Sequence, residues 1–419
     1  MTRRLTSTLA GTAVIAALVI PAFAADGQET GGAQAAPAAQ APAGARGGAG
    51  GGGAGRGGGR GVPAVAPSAL RAVPAETTAA RAKDPNWKAP RTAWGHPDIE
   101  GIWTSDDMRG VPTTRPKDQM DRESLTPEAF ARRAGGDEAN RDRAVNQETF
   151  LRNEFGVRTF GYTSIVVEPA NGQMPAITPA AAARRKAEAG VGTFGTRPLN
   201  AFEDFSLYDR CITRGIASIT PVLYGNGLRI VQSPGAVTIT YEMIHDTRVI
   251  PLDPVDRNGS APFLEARPRL SPRIKQWLGD SRGRWEGETL VIETTNYTDR
   301  TSLQGLHSDK LKTTEWITRI DPQMVDYRIR VEDPETWVAP FTLRYTITTQ
   351  PDYPEVYEYS CHEGNTAVEH GLRSERAYER EVEEAKAKGL PIPPRVNRGM
   401  DVYGAPDRTL PVRDVNSSK

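Results

Sequence analysis

The chain has 419 residues, 38% of them hydrophobic and 25% charged, with 52 basic and 52 acidic side chains. That length accommodates one large or two ordinary domains, and the zero formal charge removes the electrostatic argument for nucleic acid, since no excess of Lys and Arg exists to neutralise phosphates. Heptads, a phosphate loop and a dinucleotide fingerprint are all missing from the sequence, so no nucleotide cofactor is expected.

Arg3-Arg4, the apolar run from Leu9 to Ile20, Pro21 and Ala22-Phe23-Ala24 have the three-part form of a secretory signal peptide over residues 1–24, with cleavage after Ala24. The run is shorter than the ~20 apolar residues that cross a bilayer and is interrupted by Thr12. The mature chain is therefore expected to be exported, periplasmic or extracellular, with no transmembrane segment. Residues 25–83 are rich in Gly, Ala, Pro and Arg, and Gly47–Gly61 contains Gly, Ala and Arg alone. Such a stretch has no apolar surface to offset its ordering entropy and predicts a flexible tether. Two cysteines remain, Cys211 and Cys361. In an oxidising compartment an even pair predicts a disulfide, the alternative being two separate buried thiols.

Residues 84–225 read as a mixed region wrapped on a β-domain. Trp87, Trp94 and Trp103 lie close together, and Gly101-Ile102-Trp103 resembles the way lipocalin-like barrels open, with an indole plugging the core. A helix is predicted over Leu125 to Phe155, with Thr126 as N-cap, Pro127 at the first helical position and Glu128 in the first turn; Gly135-Gly136 should break it in two. Thr163–Glu168 predicts a strand, Asn171-Gly172 a tight turn, Met174–Ile177 an extended return, and Thr178-Pro179 to Gly190 a second capped helix.

From residue 226 to 370 the alternation has period two. Leu228–Gln232, Val237–Met243 and Arg248–Leu252 predict three strands in meander order. After a Pro-rich loop from Pro254 to Pro272 and a hairpin over Glu286-Gly287-Glu288, five more follow at Leu290–Thr295, Leu311–Ile320, Met324–Val331, Phe341–Thr349 and Val356–Cys361. Phe341, Leu343, Tyr345 and Ile347 fall on one face and Thr342, Arg344, Thr346 and Thr348 on the other, as for a sheet with one side on a core and one in water. The fold class is mainly β: an antiparallel meander closing into a lipocalin-like barrel or two packed sheets, with short peripheral helices. Residues 371–419 read as a surface helix, begun at Glu369 and ending before Gly389, and a polar tail.

The chain has five histidines. His245 sits at a predicted strand-to-turn junction and His362 at the end of the last predicted strand, both where a barrel mouth would gather polar groups. His245, Asp246, His362 and Glu363 are the candidate catalytic residues, as an acid–base set, and His245, His362 and Glu363 the candidate ligands for a divalent metal. No local zinc spacing such as His-Glu-x-x-His supports the metal, and no Gly-x-Ser-x-Gly elbow supports a serine nucleophile. Candidate ligand-binding residues are Glu242, Arg248, Trp285, Tyr357, Tyr359 and Asn365. For Glu242, Asp246 and Arg248 the plainer reading is a hairpin rim held by an ion pair.

The phrases Thr163-Ser-Ile-Val-Val-Glu-Pro, Ile230-Val-Gln-Ser-Pro-Gly, Glu242-Met-Ile-His-Asp, Gln276-Trp-Leu-Gly-Asp-Ser-Arg-Gly-Arg-Trp and Tyr357-Glu-Tyr-Ser-Cys-His-Glu-Gly-Asn together resemble a group of exported bacterial proteins of unknown function. That resemblance implies export and one folded unit over residues 90–370, and no activity. Three readings follow: a protein binding a small, partly apolar ligand; a hydrolase or lyase with a His/Asp/Glu site at the barrel mouth, metal-assisted or not; and a tethered structural or interaction module.

Overall fold

The computed structural model describes residues 86–146, 156–188, 197–222, 224–253, 268–300, 306–350 and 355–395, all within one compact unit. The predicted signal peptide, the predicted tether, most of the Pro-rich loop and the predicted polar tail lie outside these residues.

Ten strands and three α-helices are found among the described residues. The strands are β1 (Gly101–Thr104), β2 (Val166–Glu168), β3 (Gly227–Ser233), β4 (Ala236–Tyr241), β5 (Thr247–Pro251), β6 (Asp280–Glu286), β7 (Thr289–Thr295), β8 (Lys312–Asp321), β9 (Met324–Glu332) and β10 (Phe341–Thr348). They form a single antiparallel sheet in the order β5-β4-β3-β1-β10-β9-β8-β7-β6, with β2 added beside β10. Two-residue turns set the hairpin registers: Ser233 faces Ala236 across Pro234-Gly235, and Glu286 faces Thr289 across Gly287-Glu288. Gly287 has φ +61°, in the left-handed region that such turns need.

The sheet is open, and the lipocalin-like closure expected from the strand count is not confirmed. Its end strands β5 and β6 share one isolated parallel bridge, Leu252 to Gly283, with Asp253 N–H donating to the Gly283 carbonyl at 2.7 Å. Gly283 allows this approach, since a Cβ there would lie 2.9 Å from Leu252 Cδ2 and 3.0 Å from Ile250 Cγ2.

The alternating inward residues build the core. Leu228, Ile230, Val237, Ile239, Ile250, Leu290, Ile292, Ile317, Val325, Tyr327, Ile329, Leu343 and Ile347 belong to one buried cluster that includes Trp103. At roughly 25 cal/mol per Å² of apolar surface removed from water, such a cluster is the main favourable term of folding. The expectation that Thr342, Arg344, Thr346 and Thr348 face water does not hold. Thr342, Thr346 and Thr348 are buried because the wrapping region covers the outer face of β10: Tyr162 Oη hydrogen-bonds Thr346 Oγ1 at 3.1 Å and Arg344 lies 4.2 Å over the Tyr162 ring. Phe160, Tyr162, Ile165 and Val166 join the same core cluster.

Helix α1 (Pro127–Asn146) runs unbroken through Gly135-Gly136, contrary to the predicted interruption. Its N-cap Thr126 accepts from Ala129 N–H at 3.3 Å, and Arg133 ties the helix down by donating to the carbonyls of Phe160 and Tyr162, both at 2.7 Å. Anchoring of this kind outweighs a propensity cost of about 1 kcal/mol per glycine. Helix α2 (Pro179–Glu188) is capped by Thr178. Helix α3 (Ala367–Ala387) packs Gly371 against Phe205 and Leu199, and Glu375, buried within it, is paired with Arg395. The segment Val356–Cys361, expected as a last strand, has no ladder partner and runs as irregular chain.

Candidate functional site

This irregular segment owes its position to side chains. Tyr357 N–H donates to Glu242 Oε2 at 3.2 Å and Tyr359 N–H to His245 Nδ1 at 3.3 Å. Both acceptors come from the β4–β5 connection, which is sharply bent: Ile244 and His245 have φ of 69° and 54°, a conformation L-residues seldom adopt.

A disulfide joins Cys211 to Cys361 with Cα atoms 5.7 Å apart, so the predicted pairing is present. It links the segment after Ser206 to the irregular segment ending at Cys361. Between them lies a cavity of about 320 Å³, lined by Tyr208, Asp209, Tyr224, Tyr359, Ser360, Cys361 and, at its rim, Glu358, Glu363 and Asn365. Three phenols meet in it. Tyr208 Oη is 2.7 Å from Tyr359 Oη and 3.2 Å from Tyr224 Oη, and the Tyr224 and Tyr359 rings stack with centroids 6.4 Å apart and planes at 18°. Burial, then the bonds from the other two hydroxyls, push the Tyr208 phenol well above its ordinary range, so it stays protonated. Arg214 lies behind the phenols without lining the cavity; burial lowers its guanidinium pKa, and the Tyr208 and Tyr359 phenols act the other way. Asn365 Nδ2 ties the two sides together by donating to the Asp209 carbonyl at 2.9 Å and to Cys211 Sγ at 3.1 Å.

The predicted residues divide into three groups. Tyr359, Glu363 and Asn365 line the cavity, and Glu242, His245 and Tyr357 hold its outer wall. His362 is exposed on the same turn but does not line the cavity. Asp246 is not a partner for the His245 ring; it accepts the hydroxyl of Thr213 instead. Burial raises its pKa, opposed by Thr213 and Arg248. Among the described residues no group of three or more His, Cys, Asp or Glu side chains is placed to hold a metal, so His245, His362 and Glu363 are not gathered as a ligand set. Trp285 packs beside His96, ring centroids 5.4 Å apart, one position from the β6–β7 turn.

Arg248 departs furthest from expectation. Instead of closing a rim ion pair it points into the sheet interior, where it holds Glu315 of β8 through two bonds of 2.8 and 3.0 Å. Its second Nη also donates to Ser281 Oγ at 3.1 Å and Thr294 Oγ1 at 3.3 Å, and Tyr327 donates to Glu315. Burial would lower the Arg248 pKa, but the Glu315 charge, the Tyr241 and Tyr327 phenols and the hydrogen bonds to Glu315 together outweigh it, and the pKa lies well above normal. The ion pair belongs to the core.

Sequence reasoning missed Glu315, Tyr208, Tyr224 and Arg214. Glu315 left a signal, a carboxylate in phase with Ile317 on the apolar face of β8. The two tyrosines left none, because they come from irregular chain whose only mark is its nearness to Cys211. No family model, no curated protein and no solved structure matches this chain.

Proposed function

We propose that this is an exported protein that binds a small, partly apolar ligand carrying a positive charge, in the cavity walled by the Cys211–Cys361 disulfide. One observation carries the reading: Tyr208, hydrogen-bonded to both Tyr224 and Tyr359, faces with them a cavity of about 320 Å³ whose rim carboxylates Glu358 and Glu363 have no ion-pair partner among the described residues. Stacked aromatic rings offer apolar area and a negative π-face, and a cation over such a face gains ~0.5–2 kcal/mol. Carboxylates at the mouth add a long-range attraction for the same charge. A pocket of this size with a few convergent polar groups is the usual form of a small-molecule site. Export is supported by the disulfide between Cys211 and Cys361. A barrel-like scaffold is supported by the meeting of β5 and β6 at Gly283 and by the reach of Arg248 from β5 across the interior to β8.

The acid–base alternative has less to stand on, because neither His245–Asp246 nor His362–Glu363 forms a hydrogen-bonded pair. The test is calorimetric titration of the oxidised full chain with benzylamine, benzyl alcohol and benzoate, which differ mainly in charge. Benzylamine is expected to bind, benzyl alcohol about tenfold more weakly, and benzoate not at all. Glu358→Gln with Glu363→Gln should erase the preference for the amine, and Tyr359→Ala should abolish binding. Equal binding of benzoate, or an amine isotherm untouched by Tyr359→Ala, sinks the proposal.

A further inference from the structure

The cavity has two walls, and a single covalent bond joins them. One is the segment of Tyr208 and Asp209, held by Ser206 Oγ donating to Asp209 Oδ2 at 2.7 Å and continued by Cys211. The other is the irregular segment from Glu358 to Asn365, which turns at Cys361–Gly364. This second wall contributes nothing to the buried apolar cluster and has no backbone ladder. Besides the disulfide, its contacts with the body include the stacking of Tyr359 on Tyr224 and exposed or half-buried hydrogen bonds, Tyr359 to His245 and Tyr208 and Asn365 to Asp209, with Tyr357 just before it bonded to Glu242. Each such bond contributes little net stability, because water replaces it when it opens.

The two sulfurs differ in access. Cys211 is 5% exposed, whereas Cys361 is half-buried and lines the cavity. Cys211 also has φ 56°, a conformation that a non-glycine residue holds only when its surroundings impose it, and its Sγ receives the hydrogen bond from Asn365 Nδ2. A hydrogen-bond donor on a sulfur favours its thiolate, so Cys211 is the better leaving group and Cys361 the better target.

We propose that the Cys211–Cys361 bond is a redox latch on the ligand cavity, opened by a dithiol that enters from the cavity side. This rests on the ligand-binding reading above. In the first step a thiolate of the dithiol attacks Cys361 Sγ, a new S–S bond forms there, the Cys361–Cys211 bond breaks, and Cys211 leaves as a thiolate beside Asn365. In the second step the other thiolate of the dithiol attacks its own sulfur in the mixed disulfide and expels Cys361 as a thiolate. The dithiol is oxidised to a disulfide, the protein gains two electrons, and protons from water complete the two thiols. The freed wall, no longer crosslinked, then moves away from Tyr208 and Tyr224, and the cavity loses the preorganisation on which its affinity depends.

The experiment pairs hydrogen exchange with benzylamine titration on the full chain, oxidised and after treatment with dithiothreitol, with Cys211→Ser/Cys361→Ser as a permanently open form. The latch predicts that exchange rises in residues 356–366 while the protection of β3, β4 and β7 to β10 is unchanged, and that the amine binds about tenfold more weakly in both open forms. Unchanged exchange in 356–366 overturns the latch whatever the ligand does. Exchange rising throughout the sheet also overturns it, since the bond would then brace the whole fold. Equal binding in oxidised and reduced protein overturns the latch while leaving the cavity reading intact, whereas absence of amine binding in the oxidised protein overturns both.

Discussion

Glu315 sits where a carboxylate is least welcome, on the inward face of β8 between Thr313 and Ile317, with no exposed surface. Several kcal/mol of lost hydration accompany each buried ion, and attraction to the partner offsets this only when the geometry is good and the remaining lone pairs are used. Here the guanidinium engages both carboxylate oxygens and Tyr327 supplies a further donor. Removing one member leaves the other charged and alone, so Glu315→Gln should cost roughly 3–5 kcal/mol in chemical denaturation. The double change Arg248→Met with Glu315→Leu should recover most of that loss. If the double variant is no more stable than the single one, the ion pair carries more of the fold than its buried charge explains. The sequence placed Arg248 at the rim because Glu242 and Asp246 are its near neighbours along the chain. Strand phase argues otherwise: Arg248 and Ile250 share a face of β5, as Glu315 and Ile317 share one of β8, and those two faces meet inside the curled sheet.

Glycines give the clearest contrast between elements. Gly135 and Gly136 lie inside α1 with nothing within 4 Å of a Cβ at either position, so each change to Ala should stabilise the protein by about 0.5–1 kcal/mol through helix propensity alone. Gly371 in α3 is the opposite case. A Cβ there would lie 2.6 Å from the Phe205 ring, so Gly371→Ala should lower the melting temperature and lift α3 from the segment around Leu199. Thermal melts of the three variants decide both statements. The hairpin strands were legible because their turns and alternation agree, as with Pro234-Gly235 between β3 and β4. The segment Val356–Cys361 also has period two, though with polar and apolar side chains mixed on both faces, and is no strand, because period two reports side-chain direction and not what the N–H groups bond to. Here the N–H groups of Tyr357 and Tyr359 bond to Glu242 and His245 side chains, and no local pattern announces that.

Acid sensitivity belongs to the molecule as a whole. His307 is 6% exposed, and burial lowers its pKa despite the Ser308 carbonyl and Asp333 acting the other way. The imidazole is therefore neutral in the folded protein under conditions where the unfolded chain already takes up a proton. Below the unfolded value of ~6.5 the unfolded state binds more protons, so stability falls as pH drops through that value. His96 shifts in the same direction, by burial and then by Arg91. The melting midpoint should decline from about pH 7 to about pH 5, and His307→Gln should flatten that slope while lowering the plateau. An unchanged slope would remove His307 as its source. On this scale the mainly β class and the antiparallel meander were legible, while the openness of the sheet was not. Strand number is written in the alternation, but whether the first and last strands bond along their length depends on contacts such as Leu252 with Gly283, thirty-one positions apart in the numbering.

That glycine has a consequence for life at high concentration. A ten-stranded sheet with both flanks bare would offer two rows of unused amide and carbonyl groups to any passing chain, the usual route to sheet-by-sheet aggregation. At Gly283 the chain just past β5 meets β6 through one bridge and one hydrogen bond, which occupies part of each flank. Filling its space with Gly283→Val should prise the flanks apart and yield a protein that still folds when dilute yet self-associates as it is concentrated, a change that light scattering would register directly.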